Sequence, residues 1–200
     1  TRSDSSAASD VYKRQGYVHA ERLMPFVDAV LHKQGWSRTD LDAVAVSGGP
    51  GSFTGLRIGV STAKGLCQAL QVPLISLDTL ALLAEQGKRV DPTPQQRVAM
   101  IDARRMEVYA GTFDANGTCT QAATPVEVDK TPDTFKGPAQ FIGDGAVKCT
   151  ALLDGEGRTF VNAWPLARDG AALAEAAFQA GRFVDLASHE PNYIKAFKAG

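Results

Sequence analysis

The chain has no apolar run approaching the ~20 residues that a membrane-spanning helix needs, so no such helix is expected in it. Its three cysteines, Cys67, Cys119 and Cys149, are odd in number, far apart and without a C-x-x-C pair. That pattern argues against a disulfide framework and for reduced, buried thiols in a cytoplasmic protein. The three histidines, His19, His32 and His189, are isolated, with Glu21 and Glu190 as their nearest acidic neighbours. Nothing resembles H-E-x-x-H, so no metal site is expected. A dominant charge is missing too. Lys and Arg total 21 against 22 Asp and Glu, a net charge of −1, and this balance argues against a large nucleic-acid surface acting alone. No signal peptide is recognisable, and no repeat recurs at solenoid periods.

The common nucleotide and nucleophile motifs are also absent. A P-loop requires G-x-x-x-x-G-K-[ST], but Gly55 is followed by Leu56 and Arg57. The G-x-G-x-x-G spacing fails because Gly49-Pro50-Gly51 puts Thr54 where the third glycine belongs. No G-x-S-x-G surrounds Ser52. No catalytic residue and no cofactor are therefore expected.

What is present centres on Asp42 to Leu70, DAVAVSGGPGSFTGLRIGVSTAKGLCQAL. Val44, Ala45 and Val46 read as a short buried strand. At Ser47-Gly48-Gly49-Pro50-Gly51-Ser52 the glycines and proline are expected to end it in a turn. Ser52 or Thr54 then caps a helix holding Leu56, Val60, Ala63 and Leu66 or Cys67 at helical spacing. A strand, a glycine turn and a helix N-terminus together offer free N–H groups to an anion. The alternative is a purely structural turn of Gly48, Gly49, Pro50 and Gly51. The same helix carries Gly55, Gly59 and Ala63 four apart. Each glycine costs about 1 kcal/mol relative to alanine, and close helix packing is the reason expected for them.

Upstream, Leu23, Phe26, Val27, Val30 and Leu31 mark an apolar stripe on a helix from Val18 to Gln34, with Pro25 near its start or at a kink. Downstream, Leu74 to Leu77 is a strand, Asp78 or Thr79 caps a helix to about Gln86, and Gly87 stops it. Val90-Asp91-Pro92-Thr93-Pro94 is the best linker. Arg97 to Ala103 and Met106 to Phe113 read as strands before a turn at Asn116-Gly117. Thr120 to Pro138 reads as irregular, Gln140 to Ile142 as a strand, Gly143-Asp144-Gly145 as a turn opening a helix to Leu153, and Ala171 to Ala180 as a helix. Strands alternating with helices point to an α/β fold with a mainly parallel sheet. Asp102, Arg104 and Arg105 could position a phosphate; ion pairing within a hairpin is the plainer use.

GGPGSFTGLRIGVSTAKGL, with HAERLMPFVDAVL before it, PLISLDTL and IDARRMEVYAG after it and an echo in EPNYIKAF, resembles the TsaB (YeaZ) family. The resemblance implies an actin-like ATPase (ribonuclease H-like) fold of two lobes without the ATPase machinery. It implies a non-catalytic dimerisation subunit that binds and activates TsaD in forming threonylcarbamoyladenosine next to the tRNA anticodon. The implied partners are a TsaD-like catalytic subunit, a second copy in a homodimer, and a TsaE-like ATPase within the complex. tRNA is reached only through the complex, and no membrane is involved. Leu23, Phe26, Val27, Val30, Gly55, Gly59 and Ala63 are the candidate interface, two helices forming a four-helix bundle with the same pair from a partner. The alternatives are a stand-alone actin-like ATPase or kinase, and a glycoprotease-type metallopeptidase.

Thr1 to Gln15, TRSDSSAASDVYKRQ, is polar and without period, the composition of a tail. Ser5 to Gln15 also resembles the translation of a transposon adaptor from library preparation, so residues 1–15 are expected to be non-native. Family members begin with a β-hairpin carrying an IDTAT-like motif, and a first lobe truncated by its loss is expected. The lobes are expected at 16–91 and 92–200.

Overall fold

The computed structural model describes residues 19–103 and 105–194. The adaptor-like Thr1 to Gln15 lies outside these, as do Arg104 and the end of EPNYIKAF. The chain divides into two compact units. The first holds the described residues as far as Gly48, then Ser52–Leu77 and Ala171–Pro191; the second holds Gly49–Gly51, Asp78–Gly170 and the residues from Asn192. This division falls at Leu77/Asp78 rather than at the proline-rich link, and the chain crosses back after Gly170.

The first unit begins with α1 (His19–Lys33), which takes Pro25 inside the helix. Leu31 is buried, Leu23, Phe26 and Val27 are half-buried, and Val30 is exposed. β1 (Val44–Gly49) runs on through both glycines rather than ending at Ser47. Gly48 explains this. A β-carbon there would lie 2.1 Å from Ser76 Oγ on the neighbouring strand and would force that hydroxyl to move, so a glycine suits the close pairing of the two strands. α2 (Phe53–Leu70) is capped by Ser52, whose Oγ accepts from the Gly55 N–H at 3.3 Å, and ends at Gln71 in the left-handed region, φ 56°. It leads into β2 (Leu74–Asp78), which pairs with β1.

Ala63, Cys67 and Leu74 form the core of this unit, with Val44, Val46, Val72, Val184 and Leu186 packed around them. The last two arrive on a returning segment after a further helix at Ala171–Gln179. That segment is tied down by Val184 N–H to Leu74 O at 2.9 Å, and by Lys64 Nζ donating to Ala187 O at 3.4 Å and His189 O at 3.1 Å.

The second unit is built on a five-stranded sheet in the order β5-β4-β3-β6-β7. The strands are β3 (Gln96–Asp102), β4 (Glu107–Asp114), β5 (Cys119–Glu127), β6 (Ala139–Ile142) and β7 (Arg158–Val161). β3–β4 and β4–β5 are antiparallel hairpins; β3–β6 and β6–β7 are parallel. β3 is central and apolar on both faces. Val98 and Met100 join one core with Phe141, Ala146, Cys149 and Leu153; Ala99 and Ile101 join another with Leu80, Leu83, Ala84 and Ile142. The period of two in a strand sends alternate side chains to opposite layers.

α3 (Thr79–Val90) covers the second face, and Asp78 caps it, its Oδ1 accepting from Leu80 N–H at 2.6 Å. α4 (Asp144–Lys148) and the short α5 (Thr150–Leu153) supply Ala146, Cys149 and Leu153 to the first face. α3 does not stop at Gly87, because Gly87 is a packing position, buried against β3 and β6. The stretch read as irregular contains β5, an exposed edge strand with Pro125 in it. Proline and polar residues are what a sheet edge tolerates. Cys119 opens this strand and is exposed, unlike the buried Cys67 and Cys149.

Candidate functional site

The glycine turn is shaped by close approach. Gly49 has φ +123°, and a β-carbon on it would lie 2.3 Å from the Asn192 carbonyl oxygen. The turn therefore lies against a backbone carbonyl from the EPNYI stretch, in the same unit. An acceptor, not a donor, thus lies beside Gly49. At the start of α2 one N–H, that of Gly55, is taken by the Ser52 hydroxyl. Of the two uses open to the turn, this geometry fits the structural one.

The candidate interface residues do not share one outward face. Ala63 is only 5% exposed and belongs to the core with Cys67 and Leu74. At Gly59 a β-carbon would make an ordinary contact, 3.8 Å from Val46 on β1, and at Gly55 it would meet the capping Ser52. Gly59 and Ala63 thus face their own sheet. Buried Leu56, Val60, Ala63 and Cys67 fix the rotation of α2, which leaves Thr54, Arg57, Ser61, Gly65 and Gln68 exposed. Nothing lies within 4 Å of a β-carbon at Gly65. α1 packs beside α2. Val30 on α1 is 55% exposed, and so, just beyond that helix, is Trp36 at 57%. Two adjoining helices thus carry small residues on one and exposed apolar groups on and after the other. The row Ser61 and Gly65, spaced four apart, was the part of this surface that the glycine spacing concealed.

The acidic–basic group of the β3–β4 hairpin is held from outside it. Lys148 on α4 forms an ion pair with Asp102 and donates to Arg105 O at 2.8 Å and Glu107 O at 2.7 Å. Arg105 has φ 51° in the turn. The Asp102 N–H donates to Asp144 Oδ1 at 3.0 Å, so Gly143-Asp144-Gly145 grips the end of β3. Lys148 gave no motif in the sequence; only its place at the end of α4 brings it here. Burial pushes the neighbouring Cys149 thiol up, the Lys148 charge opposing and the Asp102 charge adding, so it is not an activated nucleophile. Among the described residues no three His, Cys, Asp or Glu side chains gather as metal ligands.

Residues 13–199 match the family model TsaD, described as tRNA N6-adenosine threonylcarbamoyltransferase. Two solved structures from Pseudomonas aeruginosa are similar at TM-score 0.78 and 29% identity. One is titled YeaZ, over 90% of this chain and 86% of that one; the other is titled an uncharacterized protein with similarity to peptidase YEAZ, over 89% and 85%. Sheet, helices and neighbours together define a protein of the actin-like, ribonuclease H-like ATPase fold. The tRNA threonylcarbamoyladenosine biosynthesis protein TsaB of Escherichia coli is 32% identical over 88% of this chain and 80% of its own length. Its namesake in Bacillus subtilis is 35% identical over 54% and 45%. The chain belongs to the TsaB (YeaZ) family.

Proposed function

We propose that this chain acts in the biosynthesis of tRNA threonylcarbamoyladenosine as a non-catalytic subunit that binds and activates a TsaD-like catalytic subunit. The observation that carries this reading is a double relationship. The chain is similar to TsaB along most of its length, and residues 13–199 also match the TsaD family model. Two subunits of one fold can pair through equivalent surfaces about a pseudo-twofold axis, as identical subunits do. Self-association and pairing with the catalytic subunit then compete. A TsaE-like ATPase joins the same complex, and tRNA is engaged through the assembly rather than by this chain alone.

The surface proposed for the pairing is the outer side of α1 and α2. Val30 and the half-buried Leu23, Phe26 and Val27 supply apolar area, and Ser61 and Gly65 let a partner helix come close. The test is Gly65→Leu, followed by calorimetric titration with the TsaD-like subunit and by threonylcarbamoyl transfer assays of the mixture. A leucine at an interface packed at that point costs about 1–3 kcal/mol, or roughly one to two decades in affinity. The fold is expected to tolerate the change, because a β-carbon at Gly65 meets nothing within 4 Å among the described residues, and circular dichroism checks it. Undiminished binding and transfer by a folded Gly65→Leu chain overturns the surface. Robust transfer by this chain without any catalytic subunit overturns the role.

A further inference from the structure

On and beneath α3 three polar side-chain atoms are buried without a hydrogen-bonding partner among the described residues: Gln86 Oε1 on the helix itself, and Arg97 Nε and Gln140 Oε1 on the sheet below. Arg97 is 0% exposed, Gln140 1% and Gln86 8%. Arg97 and Gln140 are register partners on the parallel strands β3 and β6, so their side chains leave the sheet side by side on the face that α3 covers. They meet over Gly87. The position of a β-carbon on Gly87 lies 2.3 Å from Gln140 Oε1 and 3.3 Å from Arg97 Cδ. Gln86 is the preceding residue of the same helix.

The rest of the guanidinium is occupied. Nη2 donates to Asp91 O at 2.9 Å and Nη1 to Ala115 O at 3.4 Å. These bonds fasten the α3–β3 link and the β4–β5 turn to β3. They also fix where the Nε–H points, so it cannot swing to another acceptor without breaking them.

A buried donor or acceptor left without a partner is costly, and in folded proteins such groups are commonly met by an internal water. We infer that a water molecule is bound here, accepting from the Arg97 Nε–H and donating to Gln140 Oε1. The composition of the site selects the ligand. An anion such as chloride only accepts, and would face one N–H together with the Gln140 carbonyl oxygen. A metal cation would face a guanidinium. Water accepts from the N–H and still has O–H groups to donate to the Gln140 amide oxygen. The bound molecule would link β3 to β6 beneath α3.

A crystal structure of this chain at a resolution that reveals ordered water tests the inference, with Gln140→Met as the matched variant and a bromide soak as the control for an anion. The expected result is one density peak within hydrogen-bonding distance of both Arg97 Nε and Gln140 Oε1. That peak persists unchanged in bromide and is lost in Gln140→Met. Magnetic relaxation dispersion of water oxygen gives the same answer in solution, through a long-lived water that the variant lacks. A direct bond from Arg97 Nε to Gln140 Oε1 with no peak between them overturns the inference, as does an anomalous bromide signal at the site. If Gln140→Met does not fold, the parent crystal and its bromide soak decide alone.

Discussion

Two glycines on or beside one helix have different reasons to be glycine, and substitution separates them. Gly49 combines φ +123° with the Asn192 carbonyl 2.3 Å from where a β-carbon would go. Gly49→Ala is expected to lose about 1–3 kcal/mol of stability, and more where Asn192 cannot move away. Gly65 has open space, so Gly65→Ala is expected to gain about 1 kcal/mol from helix propensity. Urea unfolding of the two variants beside the parent reads both signs, and a neutral Gly49→Ala would remove close approach as the cause of the turn. His189 offers a pH test at the same scale. Burial lowers its pKa from 6.5, and the Lys64 charge lowers it further. The unfolded chain therefore binds the proton more readily than the folded one. Its contribution to stability is complete above pH 6.5 and is lost as pH falls from there through the lower folded value. Thermal melts across that range are expected to show His189→Gln with a flatter acid limb than the parent, and identical limbs would sink the idea.

At the level of elements, what the sequence made legible was whatever an apolar period controls. α1, α2, α3 and the core strands β3, β4 and β6 lie within a few residues of the expected stretches, because each must bury a stripe or a face. The misreadings share one cause, local propensity overruled by a neighbour. Gly87 reads as a helix stop but is a packing site under Gln140 and Arg97. Gly48 reads as a strand end but is where β1 passes Ser76. β5 and β7 lie at the edges of the sheet, where few side chains are buried and alternation is weak.

The rotation of α2 was legible in principle. Ala63 cannot belong both to the buried row of Leu56, Val60 and Cys67 and to an outward row with Gly59, and the buried row is the stronger constraint. Lys148 was not legible, because its three acceptors sit on the β3–β4 hairpin, all of them more than forty positions away. Replacing it tests how far one side chain holds α4 to that hairpin. Lys148→Met keeps the stem but removes the ammonium that donates to Asp102 and to the Arg105 and Glu107 carbonyls. The expected loss is about 1–3 kcal/mol, with faster amide exchange confined to residues 102–108. Unchanged exchange there would reduce the contact to a surface ion pair.

For the molecule as a whole, the governing quantity is charge. Twenty-one basic and 22 acidic side chains leave a net charge of −1, and some of the basic ones are already committed. Arg38 is paired with Asp28 at 2.6 Å, Arg89 with Asp169 at 2.8 Å, and Lys148 with Asp102. Affinity for tRNA rests mostly on neutralised phosphates, and each one neutralised steepens the salt dependence, with a slope of about −0.7 per contact on single strands. A chain with no charge surplus has few contacts to offer. By itself it is expected to bind tRNA no more tightly than non-specific proteins do, with a dissociation constant of roughly 10⁻⁴–10⁻⁶ M at physiological salt and a shallow salt slope. Mixed with its TsaD-like partner, the pair should bind more tightly and with the steeper slope of the partner's basic residues. Fluorescence titration of labelled tRNA at several salt concentrations, with each subunit alone and then with both, separates the contributions. A steep slope and tight binding by this chain alone would mean that its basic residues form a surface of their own. The role proposed here would then have to include direct handling of the tRNA.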